Sequence, residues 1–137
     1  MAASDDYLYL AEGRHALGVD AQTGQRKLRF SAPEGRHWGF MAVTGNQLLG
    51  SSVKINSAYV ADEGEWYDDG KKAPNIARVV SDSLFSFDRR TGKQLWKYTG
   101  GLVMNSSITV GEGIVYFVES RNNAPTKLAT SRVARGI

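Results

Sequence analysis

Ser86-Phe87-Asp88-Arg89-Arg90-Thr91-Gly92-Lys93-Gln94-Leu95-Trp96-Lys97-Tyr98 decides the fold, because an earlier stretch repeats it. That stretch, 68 residues upstream, is Gly18-Val19-Asp20-Ala21-Gln22-Thr23-Gly24-Gln25-Arg26-Lys27-Leu28-Arg29-Phe30. Both hold Asp-x-x-Thr-Gly between two short apolar runs. Asp20 and Asp88 each end a run, where a carboxylate can accept backbone N–H bonds from the turn that follows. Gly24 and Gly92 supply a positive φ that a residue with a Cβ resists. Each copy therefore reads as a hairpin corner, and its Asp as structural rather than catalytic. Trp96 comes four residues after Gly92 and can wedge between neighbouring sheets, burying roughly 200 Å².

Working outward, short runs rich in Val, Ile, Leu, Tyr and Phe recur, each closed by a turn signal. They are Tyr7–Ala11, His15–Asp20, Gln25–Phe30, Phe40–Thr44, Gln47–Ser52, Ser83–Asp88, Lys93–Tyr98, Ser106–Val110 and Ile114–Glu119. No stretch keeps a helical period for three turns. The reading is an all-β protein with antiparallel neighbours.

The composition excludes several classes. The 137 residues are 42% hydrophobic, too apolar for a disordered chain, and contain no Cys for a disulfide framework or thiolate metal site. No apolar run approaches the roughly 18 residues of a membrane span. Met1-Ala2-Ala3-Ser4-Asp5-Asp6 lacks the basic region and apolar run of a secretory signal. The net charge of +3 comes from the tail. Residues 1–120 carry 13 Lys and Arg against 14 Asp and Glu, while Arg121, Lys127, Arg132 and Arg135 add four cations without an acid. Four cations spread over that tail do not make the clustered face a polyanion needs, so nucleic acid is not the expected partner.

The pattern Ala-x-Asp-x-x-Thr-Gly-x-x-x-Trp, with a Gly five residues later, resembles the tryptophan-docking repeat of quinoprotein-type β-propellers. These comprise the pyrroloquinoline-quinone (PQQ) dehydrogenases and non-catalytic relatives, including an outer-membrane assembly lipoprotein. Ser86, Asp88, Thr91, Gly92, Trp96 and Gly101 follow it, with Ser for Ala. The first copy keeps Asp20, Thr23 and Gly24 but has Gly18 for Ala and Leu28 for Trp. The resemblance implies four-stranded antiparallel blades with the motif on the third and fourth strands. Residues 7–30 then form a partial blade, 40–98 a complete blade with an insert at 53–82, and 106–137 a second partial blade. Two to three blades of a ring implied to have eight would be part of a longer protein. The resemblance also implies an extracytoplasmic, periplasmic location.

In that frame the long connections 53–82 and 121–137 and the loops Ser31–Gly39 and Thr99–Asn105 gather on one face. Loops beyond roughly 12–15 residues are often functional. The expected ligand face comprises Arg36, His37, Trp38, Trp66 and Asn105. Arg36 can grip a carboxylate, Trp38 can stack on a planar ligand, and His37 can act as a base. Equally, Trp38 can cover a blade's apolar end and Arg36 can pair with an acid. In the insert, Asp62, Glu63, Glu65, Asp68 and Asp69 can bind a hard cation, but Asp68-Asp69-Gly70 lacks the alternation of a calcium loop. No metal site is expected. Asn105-Ser106-Ser107 has the form of a glycosylation acceptor.

Three functions follow. One is a non-catalytic scaffold that presents loops to proteins or a small ligand, its other partners being the remaining blades. The second is a piece of a PQQ-dependent alcohol or sugar dehydrogenase. Only that reading brings PQQ and calcium as cofactors, and no residue set here matches their roles. The third is a sugar- or polymer-binding propeller using Trp38 and Trp66.

Overall fold

The computed structural model describes residues 1–54, 58–60, 66–68 and 80–121, with backbone alone at 58–60 and 66–68. It is all-β, with antiparallel pairing throughout. Sheet A runs β1 (Ala2–Ala3), β2 (Tyr7–Glu12), β3 (His15–Asp20) and β4 (Arg26–Ser31), in that spatial order. β5 (Trp38–Thr44) and β6 (Gln47–Val53) follow, then β7 (Ala58–Val60), which pairs with β8 (Trp66–Asp68) inside the insert. β9 (Val80–Asp88) and β10 (Gln94–Met104) lead to a short hairpin of β11 (Thr109–Gly111) and β12 (Ile114–Tyr116). β13 (Glu119–Ser120) closes the described chain. Sheet B has the order β13-β10-β9-β6-β5.

Alternation along the strands creates three layers. One core lies between sheets A and B and buries Tyr9, Ala16, Phe30, Trp38, Leu48, Phe85 and Phe87. Its rings meet at tilted or edge-on angles, with Trp38 edge-on to Phe85 at 4.9 Å between centroids. The second core lies on the other side of sheet B, where Leu84, Val103 and Ile108 pack with Trp96, Tyr98, Val115 and Phe117. β9 is therefore covered on both faces: Phe85 and Phe87 point to sheet A, Leu84 to the β11–β12 hairpin.

The repeat extends to the hydrogen-bond register. Gly18 faces Leu28 across β3 and β4, and Ser86 faces Trp96 across β9 and β10. In each copy the register slips by one residue just before the large side chain, at Lys27 in sheet A and Leu95 in sheet B. Such a bulge turns the strand locally and aims the next side chain across the sheet.

Three strand expectations change. Ala2–Ala3 adds a short fourth strand to sheet A, registered on Leu8 and Tyr9, which two small residues did not announce. Asn105–Ser107 is a single 3-10 turn, because the Ser107 hydroxyl bonds back to the Met104 carbonyl at 2.7 Å. Glu119 leaves the β12 run and pairs with Val103 at the edge of sheet B. Its carboxylate accepts the Tyr98 hydroxyl, the Gly101 N–H at 2.7 Å and the Arg121 Nε–H at 2.8 Å. β13 runs so close that a Cβ on Gly101 would sit 2.1 Å from the Ser120 carbonyl oxygen. That contact is a local reason for glycine at the last motif position.

Candidate functional site

The sheets have a turn end and an insert-bearing end. At the turn end the Asp20 carboxylate accepts the Gln22 and Thr23 N–H groups at 3.0 and 2.9 Å, and the Asp88 carboxylate accepts those of Arg90 and Thr91 at 2.9 and 2.8 Å. Thr23 and Thr91 accept the N–H two residues on, from Gln25 and Lys93. Backbone bonds of 2.8–2.9 Å close both turns, Asp20 with Gln25 and Gly24, Asp88 with Lys93 and Gly92. Gly24 and Gly92 have φ of 70° and 74°. The second carboxylate oxygens differ in partner: Lys27 for Asp20 and the Asn46 amide for Asp88, both at 2.6 Å. The Lys27 ammonium, followed by the Thr23 N–H, holds the Asp20 carboxyl well below the usual range. The Thr91 and Arg90 N–H groups lower the Asp88 pKa as well. An acid held ionised by its own turn is a poor proton carrier at neutral pH.

Arg89, which the sequence reading passed over, ties this end of the two sheets together. Its guanidinium reaches Asp6 at 2.5 Å and Ser4 at 3.3 Å in sheet A's first turn, and the Gly45 carbonyl at 3.0 Å in sheet B's. Its place directly after the motif Asp was the available signal. The matching residue in the first copy is Ala21, which has no arm to extend.

At the other end the loop from Ser31 to His37 is laced to its neighbours. Ala32 N–H bonds to the Arg14 carbonyl and Trp38 N–H to the Gly13 carbonyl, both at 2.9 Å. Glu34 sits in the left-handed region with φ of 57° and pairs with Lys97 on β10, whose ammonium lowers the Glu34 pKa. The neck of the insert is closed by Val53 N–H to the His37 carbonyl and Lys54 N–H to the Val80 carbonyl, both at 2.9 Å. Asp82 stands between Arg36 at 3.6 Å and Lys54 at 4.0 Å. The His37 ring lies against Gly13.

Two expectations are corrected here. Trp38 is wholly enclosed between Phe85 and Phe87, so its ring has no open face for a planar ligand. It takes the other role, closing the apolar end of the inter-sheet core. Asn105 is buried, and its side-chain oxygen accepts from Ser51 and Ser81, each at 2.8 Å. Ser51 in turn accepts the Phe40 N–H at 2.8 Å. A glycan cannot be attached to an amide in that position, and Asn105 instead pins the start of the third layer to β5, β6 and β9.

Arg36, His37, Trp38 and Asn105 do lie at one end of the sheets, but each is engaged in holding that end together. Trp66 starts β8, and its side chain lies outside the described residues. So do Asp62, Glu63, Glu65, Asp69, the side chain of Asp68, and residues 122–137. Trp96 is half-buried against the second core and donates its indole N–H to Gln47 at 3.3 Å. Among the described residues no three His, Asp or Glu side chains converge as a metal site would require. No helix there is long and apolar enough to cross a membrane. Comparison with protein-family models finds no match, nor does comparison with curated proteins.

Proposed function

We propose that the chain is a segment of a quinoprotein-type β-propeller acting as a non-catalytic scaffold. Its insert-bearing end would present residues 53–82 to proteins or a small ligand, and its sheets would pack against the remaining blades of the same ring, outside the cytoplasm. The observation that carries this reading is the twofold corner. The same five turn hydrogen bonds, the same bulge and the same small-against-large cross-strand pair recur at matching positions of two stacked sheets. A stack of similar four-stranded units, each covering the next, is how propellers are assembled. The commitment of Arg36, Trp38 and Asn105 to internal contacts favours a scaffold over a catalyst.

The test uses the complete protein. After reconstitution with PQQ and calcium, the expected result is no bound-quinone absorbance and no dye-linked oxidation of alcohols or sugars. Turnover would overturn the scaffold reading in favour of a quinoprotein dehydrogenase. Electron microscopy of the same sample is expected to show a closed ring, and an open rod would remove the propeller.

A further inference from the structure

Asp82 sits on a bulge that the repeat does not contain. On either side of it Ser83 pairs with Ser52 and Ser81 with Val53, so Asp82 has no partner in the ladder between β6 and β9. The position 68 residues upstream is Arg14, in the tight turn before β3. A bulge takes its extra side chain out of the regular alternation, and bulges are over-represented beside active sites.

The neighbours of Asp82 are unusual in a second way. Other described ion pairs are closed by hydrogen bonds: Lys27 with Asp20 at 2.6 Å, Arg89 with Asp6 at 2.5 Å, Arg121 with Glu119 at 2.8 Å. Asp82 stands 3.6 Å from Arg36 and 4.0 Å from Lys54, too far for either to donate to it. The charge of Arg36 is balanced, yet among the described residues its guanidinium donates no hydrogen bond and the Asp82 carboxylate accepts none. Both side chains are mostly covered, at 32% and 27% exposure, where unspent donors and acceptors are costly. One rung inward, the Trp38 indole N–H and the Ser52 hydroxyl, paired across β5 and β6, are buried without a partner among the described residues. Three cations, Arg36, Lys54 and Lys97, stand here against two acids, Glu34 and Asp82.

We infer that Arg36 and Asp82 form a binding site for a small α-hydroxy carboxylate. The carboxylate lies in the guanidinium fork, which presents parallel N–H donors to its two oxygens. The hydroxyl, on the neighbouring carbon, donates to Asp82. The ligand's single negative charge offsets the excess positive one, and Lys54 adds to its attraction. A plain carboxylate would fill the fork and leave Asp82 without a donor, while an amino acid would bring an ammonium towards the cations. The inference rests on the reading of this end as one that presents a small ligand, and names that ligand's chemistry. Its failure would leave the ring and the quinone test untouched.

Nuclear magnetic resonance of the isotope-labelled 137-residue chain tests it. Glycolate is expected to shift the Arg36, Lys54 and Asp82 amides and the Arg36 Nε–H saturably, with a dissociation constant of about 1 mM or tighter. Acetate, which lacks the hydroxyl, should bind about fivefold more weakly, and glycine no better than acetate. Arg36→Lys keeps the charge but loses the fork, and should weaken glycolate about tenfold. Asp82→Ala should erase the preference for glycolate over acetate. The Gly24 and Gly92 amides, at the turn end, report whether each variant keeps its fold, and the comparison of glycolate with acetate needs no variant. Absence of a saturable shift at about ten times that concentration overturns the proposal. Equal binding of the two acids also overturns it, since the fork would then serve any carboxylate, an acidic side chain of a protein included.

Discussion

At the turn end of the sheets, Asp20 and Asp88 organise the same five hydrogen bonds, all within a six-residue stretch. At the insert-bearing end the polar contacts join residues far apart in sequence: Ser51 with Asn105, Arg36 with Asp82, Lys97 with Glu34. A local motif can be written twice because each copy satisfies its own backbone. The other end is assembled from partners that each occur once, so its arrangement is particular to this stretch of chain. The repeated end sets the register of the sheets; the other end sets what they present.

Substitutions can break this contrast, beginning with the largest expected effect. Trp38→Ala empties the closed end of the inter-sheet core and should cost about 3–5 kcal/mol in urea unfolding. Trp96→Ala, half-buried, should cost about 1–2 kcal/mol. Equal costs would mean that the two tryptophans close equivalent interfaces. Asn105→Ala removes the shared acceptor of the buried Ser51 and Ser81 hydroxyls, leaving them only each other and the Phe40 N–H, and should cost about 1–3 kcal/mol, with the loss read in the same titration. A neutral Asn105→Ala would show the insert-bearing end to be held by its apolar contacts alone.

Smaller effects probe the turns. Gly24→Ala and Gly92→Ala each force a Cβ into the left-handed region, at about 1–2 kcal/mol. The two values should agree, since the two glycines have nearly equal φ and open space around them. A clear difference would show that the second partners, Lys27 and Asn46, matter more than the turn. The acid response is the mildest test. The Tyr98 hydroxyl, Arg121 and the Gly101 N–H lower the Glu119 pKa to about 2, and Asp20 and Asp88 are also lowered. Groups lowered in the folded state contribute stability above their unfolded pKa of about 4 and lose it as pH falls through the folded value. The Tm should therefore drop steadily from about pH 4 downward. The Asp20→Asn, Asp88→Asn double variant should show a shallower drop, and an unchanged slope would place the acid sensitivity at carboxylates outside the two motifs, such as Asp6, Glu34 and Glu119.

Much of the fold was legible in the sequence. Turn residues and β-branched runs located most strands, and the repeated Asp-x-x-Thr-Gly placed two corners in register. Ala2–Ala3 was not legible, because two small residues carry no alternation. Glu119 was read as continuing β12, since nothing local says that Tyr98 and Gly101 wait for its carboxylate. The candidate site was legible in location more than in chemistry. The loops around Arg36, His37 and Asn105 do meet at one end. Whether an aromatic such as Trp38 points in or out depends on the sheet opposite, and a glycosylation triplet carries no information on burial. Arg89 was missed because an arginine at a turn looks solvated until Ser4 and Asp6 arrive from the far end of the chain.

The placement of the insert also fixes an order of assembly. Sheet A is completed by residues 2–31, each strand pairing with the one made just before it. Sheet B must wait for Val80 to return to Lys54 before β9 can find β6. Each doubling of a loop adds only about 0.6 kcal/mol to its closure, so the delay is one of time more than of stability. Pulse-labelled hydrogen exchange during refolding is expected to protect the Tyr9 and Leu17 amides before that of Phe85. Protection of Phe85 as early as Tyr9 and Leu17 would show instead that the two sheets form together around their shared core.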